Sequence, residues 1–181
     1  MLKLGGIITA LLTPFNEMDE VDYDKLKQLI EFQISSGVKS IILGSTTGEG
    51  MLIEDLFGYY KKAIEIVDDR LTIGVTLFGN TKSDLLNKIH KINTLSCQFV
   101  LVNTPIYLST SGNGLVEYFN LIGNNLNKPF IIYYNPLRSG QYITNTTWDK
   151  LFKINNLLGV KDASNDSFTT NYLIKNKNDL L

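Results

Sequence analysis

Short apolar runs separated by amphipathic stretches recur along this chain at a nearly even pitch, and that rhythm limits the folds open to it. The apolar runs begin near Gly6, Ser40, Thr72, Phe99, Phe130 and Leu157. Between them, Leu26, Leu29, Ile30 and Ile34 fall on one helical face that Gly37 closes, and Leu56, Ala63, Ile64 and Val67 mark a second helix. Leu85, Ile89 and Ile92 mark a third, and Leu115, Phe119, Ile122 and Leu126 a fourth. Asn145, before Thr146, is placed to cap a fifth that carries Trp148, Leu151 and Phe152. Strands that are apolar on both faces and joined by helices predict a parallel sheet, because each crossover helix buries one face of it.

Two architectures satisfy that pattern, an open doubly wound sheet and a closed barrel. A dinucleotide-binding open sheet carries a Gly-rich turn after its first strand, whereas Thr13-Pro14-Phe15 follows here. The expectation is an α/β fold of the (β/α)8 TIM-barrel type. A full barrel has eight units over about 250 residues. Six strands precede Leu181, so residues 1–181 are expected to form one incomplete barrel domain, lacking the last two units and the C-terminal helical region. A parallel sheet with two open edges would expose unpaired backbone. The sequence is then part of a longer protein, an inactive shortened product, or a half completed by another chain.

Composition removes several function classes. The net charge of -1, with Lys scattered among Asp and Glu, gives no basic stripe for nucleic acid and no polybasic membrane anchor. No run reaches the roughly 20 apolar residues of a membrane span. Met1 to Phe15 has one Lys before an apolar run, as a secretory signal does, but Thr9, Thr13 and Pro14 interrupt it as at the end of a buried strand. The single cysteine, Cys97, excludes an intrachain disulfide and a Cys-based zinc site, which suits a reducing cytoplasm, and reads as core. The Asn- and Lys-rich stretches at 120–128 and 165–178 read as compositional bias.

In α/β folds of either kind, chemistry gathers at the carboxyl ends of the strands. After the second run comes Gly44-Ser45-Thr46-Thr47-Gly48-Glu49-Gly50, a turn whose backbone N–H groups and hydroxyls suit a carboxylate, or equally a plain glycine turn with Thr as a cap. After the fourth stands Asn103-Thr104-Pro105-Ile106-Tyr107, and the fifth ends in Tyr133-Tyr134-Asn135-Pro136-Leu137-Arg138-Ser139-Gly140. A tyrosine at such a place is by default a packed ring, and Arg138 a solvated charge. The sixth, Leu157-Leu158-Gly159-Val160, runs into Lys161. A neutral amine at the mouth of a barrel is a nucleophile for a carbonyl carbon, while the ordinary alternative is a lysine that reaches out to water.

Taken together, Thr-Thr-Gly-Glu, Thr-Pro-x-Tyr, Tyr-x-x-Pro-x-Arg-x-Gly and Gly-Val-Lys occur in an order that resembles the dihydrodipicolinate synthase family, within the wider group of pyruvate-dependent class I aldolases that includes N-acetylneuraminate lyase. The resemblance runs from about Gly5 to Asp166. It implies a lyase in which Lys161 forms a Schiff base with pyruvate and Tyr133 is the general acid and base beside it. It also implies that Thr46 relays protons between Tyr133 and Tyr107, the latter reaching in from a neighbouring subunit of a homodimer or homotetramer. Thr46 and Thr47 would hold the pyruvate carboxylate, and Arg138 the carboxylate of aspartate semialdehyde, on the route to diaminopimelate and lysine. No metal and no organic cofactor is implied. Arg138 favours this reaction over a related sugar-acid aldolase, because a planar bidentate cation suits a free carboxylate better than a polyol.

The chain departs from the family pattern in places. Thr76-Leu77-Phe78 stand where a Gly-Thr-Gly-like segment is usual, and their bulk is expected to reshape the rim. Ile106, Asp55 and Gly58 replace the Tyr and His side chains of the lysine-inhibition pocket, leaving Asn80 and Asp84 as polar contacts, so feedback inhibition by lysine is expected to be weak. His90 matches no catalytic position and is expected to be structural or exposed.

Overall fold

The computed structural model describes Leu2 and residues 4–176; Met1 and Leu181, the ends of the expected domain, lie outside the described residues. The chain divides into two compact units, the first running to Thr76 and including Thr94–Phe99, the second made of Leu77–Asn93 and the chain from Val100 onward.

In the first unit, β1 (Ile8–Ala10), α1 (Tyr23–Ser35), β2 (Ser40–Leu43), α2 (Leu56–Val67) and β3 (Thr72–Leu77) follow one another, with a 3-10 turn at Gly50–Leu52. β1 pairs with β2 and β2 with β3, both parallel, with Ile8 opposite Ser40 and Ser40 opposite Thr72. All four residues of β2 are buried, as expected of a strand covered on both faces. The Asp22 side chain caps α1 by accepting the Lys25 N–H at 3.0 Å, and Gly37, at φ +79°, lets the chain leave it. The Asp55 side chain caps α2 in the same way through the Gly58 N–H. Leu26 and Ile30 of α1 and Leu56, Ala63 and Val67 of α2 are buried, the faces that the periodicity marked. Gly74 leaves room for the Phe99 ring, which a Cβ there would strike, and Cys97 is core.

The second unit holds α3 (Lys82–Asn93), β4 (Phe99–Asn103), α4 (Gly112–Asn125), β5 (Phe130–Tyr134), α5 (Pro136–Ser139), α6 (Asn145–Leu151), β6 (Leu157–Asp162) and α7 (Ser167–Asn176). β5 pairs in parallel with β4 on one side and β6 on the other. Phe130 faces Leu157 but Ile131 faces Gly159, so Leu158 is an extra residue and the ladder shifts there. Three differences from the sequence expectation appear. α6 is capped by Thr144, whose hydroxyl accepts the Thr147 N–H, and Asn145 is its first helical residue. α5 is a single turn, too short to show as a periodicity. Within the Asn- and Lys-rich stretch, Ser167–Asn176 is a helix whose Leu173 is buried, capped by the Asp166 carboxylate through Phe168 and Thr169 N–H groups.

The asparagines at 120–128 also bond specifically. Asn93 donates to the Asn125 carbonyl at 2.9 Å and accepts the Asn127 N–H at 3.0 Å, which ties α3 to the end of α4. Phe78 is half-buried, with Lys88 over its ring at 4.9 Å, and His90 is exposed on α3. No described helix is long and apolar enough to cross a membrane.

Candidate active site

β5 and β6 carry the centre of the site. The shifted ladder sets Tyr133 opposite Lys161, and paired residues of neighbouring strands project to the same face of a sheet. The Lys161 Nζ stands 4.3 Å from the centroid of the Tyr133 ring, an amine over an aromatic face. Tyr133 is 9% exposed and Lys161 is half-buried. The Tyr133 hydroxyl accepts a hydrogen bond from Asn135 Nδ2 at 3.1 Å, which leaves its own proton uncommitted to Asn135.

Asn135 also builds the turn after β5. Its side-chain oxygen accepts the Arg138 N–H at 3.3 Å and caps α5, where Pro136 takes the first helical place and Gly140, at φ +69°, the left-handed exit. This turn carries Arg138 to an exposed position with no acidic partner among the described residues. Beyond it, Gln141 is 3% exposed and grips Thr110, accepting its N–H at 2.9 Å and donating to its carbonyl at 3.1 Å. Asn80 does the same to Ile106, donating at 3.0 Å and accepting at 3.1 Å. The segment between is therefore fixed at both ends. Tyr107 sits within it, 92% exposed at φ +70°, a conformation that a bulky side chain adopts at a cost.

The Thr46–Thr47 turn belongs to the first unit. Both threonines are exposed, and the backbone beneath them is crowded. A Cβ at Gly48 would meet the Leu11 carbonyl, and one at Gly50 would strike the Gly44 carbonyl. Thr13 Oγ1 donates to the Gly48 carbonyl at 2.6 Å and lies 3.3 Å from the Tyr59 hydroxyl. Tyr60 packs against Gly44 and donates to the Thr76 carbonyl at 2.8 Å, while Thr76 Oγ1 donates to the Leu43 carbonyl at 3.0 Å. Burial pushes the Tyr59 phenol up to about 12 and Tyr60 still further up. The hydroxyl of Thr76 thus serves the fold beneath the turn.

Lys161, Tyr133, Arg138 and Tyr107 thus all lie in the second unit, and Thr46 and Thr47 in the first. Of the supporting residues Asn135, Gln141, Asn80 and Thr13, the sequence marks Asn80 only as a polar contact of the lysine pocket and Thr13 only as a break in the first apolar run, and assigns none of them a supporting role. Only Asn135 had a readable signal, an Asn-Pro pair that starts a helix with Gly four residues after the Pro. Among the described residues no three His, Cys, Asp or Glu side chains gather as a metal-binding group.

Strands that alternate with helices, with the lysine and tyrosine near the ends of β6 and β5, are those of the (β/α)8-barrel class, six of whose units this chain contains. Within that class the chain belongs to the dihydrodipicolinate synthetase family, whose model matches residues 3–181. It is 38% identical over 165 residues to a 4-hydroxy-tetrahydrodipicolinate synthase of Clostridium perfringens, an alignment covering 89% of this chain and 56% of that protein. It superposes on the crystal structure of dihydrodipicolinate synthase from Aquifex aeolicus with a TM-score of 0.89 at 28% identity, over 98% of this chain and 60% of that one. For the Acinetobacter baumannii enzyme, solved in complex with pyruvate, the TM-score is 0.89 at 29% identity, over 94% and 59% of the two chains. The chain spans little more than half the length of the curated relatives it matches.

Proposed function

We propose that this protein joins pyruvate to aspartate semialdehyde through a Schiff base on Lys161, giving 4-hydroxy-tetrahydrodipicolinate on the route to diaminopimelate and lysine. The observation that carries this reading is the Lys161 amine held over the Tyr133 ring on paired positions of β5 and β6, in a chain of this family. The pyruvate complex of the Acinetobacter relative supports the choice of first substrate.

The neutral amine of Lys161 adds to the pyruvate carbonyl, and loss of one water gives an iminium that draws electrons from the neighbouring methyl group. A methyl proton then leaves and the resulting enamine attacks the aldehyde carbon, forming the new C–C bond and a hydroxyl group. The amine of the second substrate displaces Lys161 and closes the ring. Tyr133 gives and takes protons at the nitrogen and the oxygens, with Thr46 and a neighbouring copy's Tyr107 passing them onward. Thr46 and Thr47 hold the pyruvate carboxylate. Arg138, free of an acidic partner among the described residues, offers a planar pair of donors to the carboxylate of aspartate semialdehyde.

An exposed Tyr107 on a segment pinned at both ends suits a residue that completes a second copy's site, so the working form is a homodimer or homotetramer. A biosynthetic role fits the cytoplasm. Lysine inhibits weakly, since the Asn80 carboxamide is engaged by Ile106 and the Asp84 carboxylate by Lys88 at 2.9 Å.

Borohydride reduction in the presence of pyruvate tests the central step. The expected result is a pyruvate-derived adduct on Lys161, found by peptide mass spectrometry, absent from Lys161→Arg, and product formed only with aspartate semialdehyde. A folded wild-type sample that takes up no label would overturn the reading.

A further inference from the structure

β4, β5 and β6 place a third residue on the row that holds Tyr133 and Lys161. Asn103 is paired with Tyr133 across β4 and β5 as Lys161 is across β5 and β6, so the three side chains project to one face from strands about 4.8 Å apart. The Asn103 side-chain oxygen is shut off from solvent and has no hydrogen-bond partner among the described residues. A buried acceptor left without a donor is costly, and folded proteins seldom leave one unless something else fills it. The backbone beneath does not shift to relieve it, because the Tyr118 hydroxyl, forked between the Asn103 carbonyl at 3.1 Å and the Gly79 carbonyl at 3.2 Å, holds the strand end.

We infer that Asn103 is a specificity-determining residue whose carboxamide oxygen accepts a hydrogen bond from the aldehyde substrate. This rests on the Schiff-base reading of Lys161. Pyruvate attached to Lys161 offers a carboxylate and a methyl group, neither of which donates to a carbonyl oxygen, and an iminium N–H carried by β6, which β5 separates from Asn103 on β4. The second substrate brings the missing donor, the ammonium group on the carbon next to its carboxylate. Asn103 and Arg138 would then read the two charged groups of one amino-acid end, the first accepting and the second donating. An aldehyde without that ammonium leaves the Asn103 oxygen unpaired, and such a gap is a strong basis for rejecting a substrate.

The test uses the native protein with three chains, wild type, Asn103→Leu and Asn103→Asp, and two readouts. One is the pyruvate concentration that half-saturates borohydride labelling of Lys161; the other is the KM for aspartate semialdehyde at saturating pyruvate. Asn103→Leu is expected to leave the first within about twofold and to raise the second roughly tenfold, about 1.4 kcal/mol. Asn103→Asp, which keeps the acceptor and adds a negative charge, is expected to hold the second KM at or below the wild-type value. An unchanged aldehyde KM in Asn103→Leu would overturn the inference while labelled Lys161 keeps the Schiff-base reading intact. A loss of aldehyde affinity in Asn103→Asp would also overturn it, showing that the amide nitrogen faces a carboxylate. If wild-type Lys161 takes no label, the Schiff-base reading falls, and this inference with it. A leucine chain that fails to fold is replaced by Asn103→Val, with the same expected split.

Discussion

The two stretches that carry the threonines and Tyr107 are held by different means. Under Thr46–Thr47 the first unit uses close backbone contact, glycines where a Cβ would strike a carbonyl, and buried hydroxyls from Thr13, Tyr60 and Thr76. Around Tyr107 and Arg138 the second unit uses carboxamides, with Asn80, Asn135 and Gln141 each occupied on both the donor and the acceptor side. A turn built on glycine has almost no room to change shape, which suits the role proposed for it, presenting N–H donors to a small anion. A carboxamide clamp grips chain ends while leaving the middle exposed, which suits a segment that reaches outward.

That contrast can be broken at its extremes. The largest effect is expected from Gly50→Ala, because the new Cβ would meet the Gly44 carbonyl, and backbone cannot step aside as a flexible side chain does. Thermal or denaturant unfolding should show a loss of about 3 kcal/mol. A variant as stable as the wild type would mean that the turn is looser than its packing implies.

Alkali separates the two kinds of support, since carboxamides do not titrate and phenols do. Tyr59, next to Thr13, is held neutral by burial up to about 12, against 10.0 for an ordinary tyrosine. Its folded-state value is raised, so the stabilisation is full below pH 10 and lost as the pH rises toward 12. The melting temperature should be level to about pH 10 and then fall, with roughly 2 kcal/mol of the loss missing in Tyr59→Phe. Identical alkaline curves for the two proteins would remove Tyr59 from the account.

A smaller effect belongs to the second unit. Gln141→Leu fills similar space but strips Thr110 of its partners for both N–H and carbonyl. A cost of about 1 to 2 kcal/mol is expected, together with faster amide hydrogen exchange at Thr110 than at Glu49 of the glycine turn. Equal acceleration at both places would blur the distinction drawn between them.

Much of the fold was legible because burial on both faces leaves a plain mark. Ser40, Thr72, Phe99, Phe130 and Leu157 each begin a strand where the apolar runs do, and the first starts at Ile8, two residues after Gly6. Caps were harder, since Thr144 and Asn145 are both suitable and only geometry chooses Thr144. α7 was hidden because Asn- and Lys-rich composition masks its one buried residue, Leu173. At the candidate site, Lys161 and Tyr133 were legible from their places at strand ends. Their pairing was not, because it depends on one extra residue whose effect is visible only between strands. Asn103 carries no mark in the sequence for a similar reason, since what distinguishes it is a side-chain oxygen without a hydrogen-bond partner among the described residues.

The shifted ladder between β5 and β6 gives β6 two kinds of position. Were the strand unbulged from Leu157, Val160 would stand opposite Tyr133 and Lys161 opposite Tyr134, turned to the other face. Leu158 is thus the spare count that brings Lys161 into phase, and its removal would still allow Gly159 to pair with Ile131. Losing Val160 instead would reverse the phase of everything after it. Length is therefore negotiable at one point in this strand and strictly odd-or-even beyond it, a constraint on insertions and deletions that residue-by-residue substitution would never reveal.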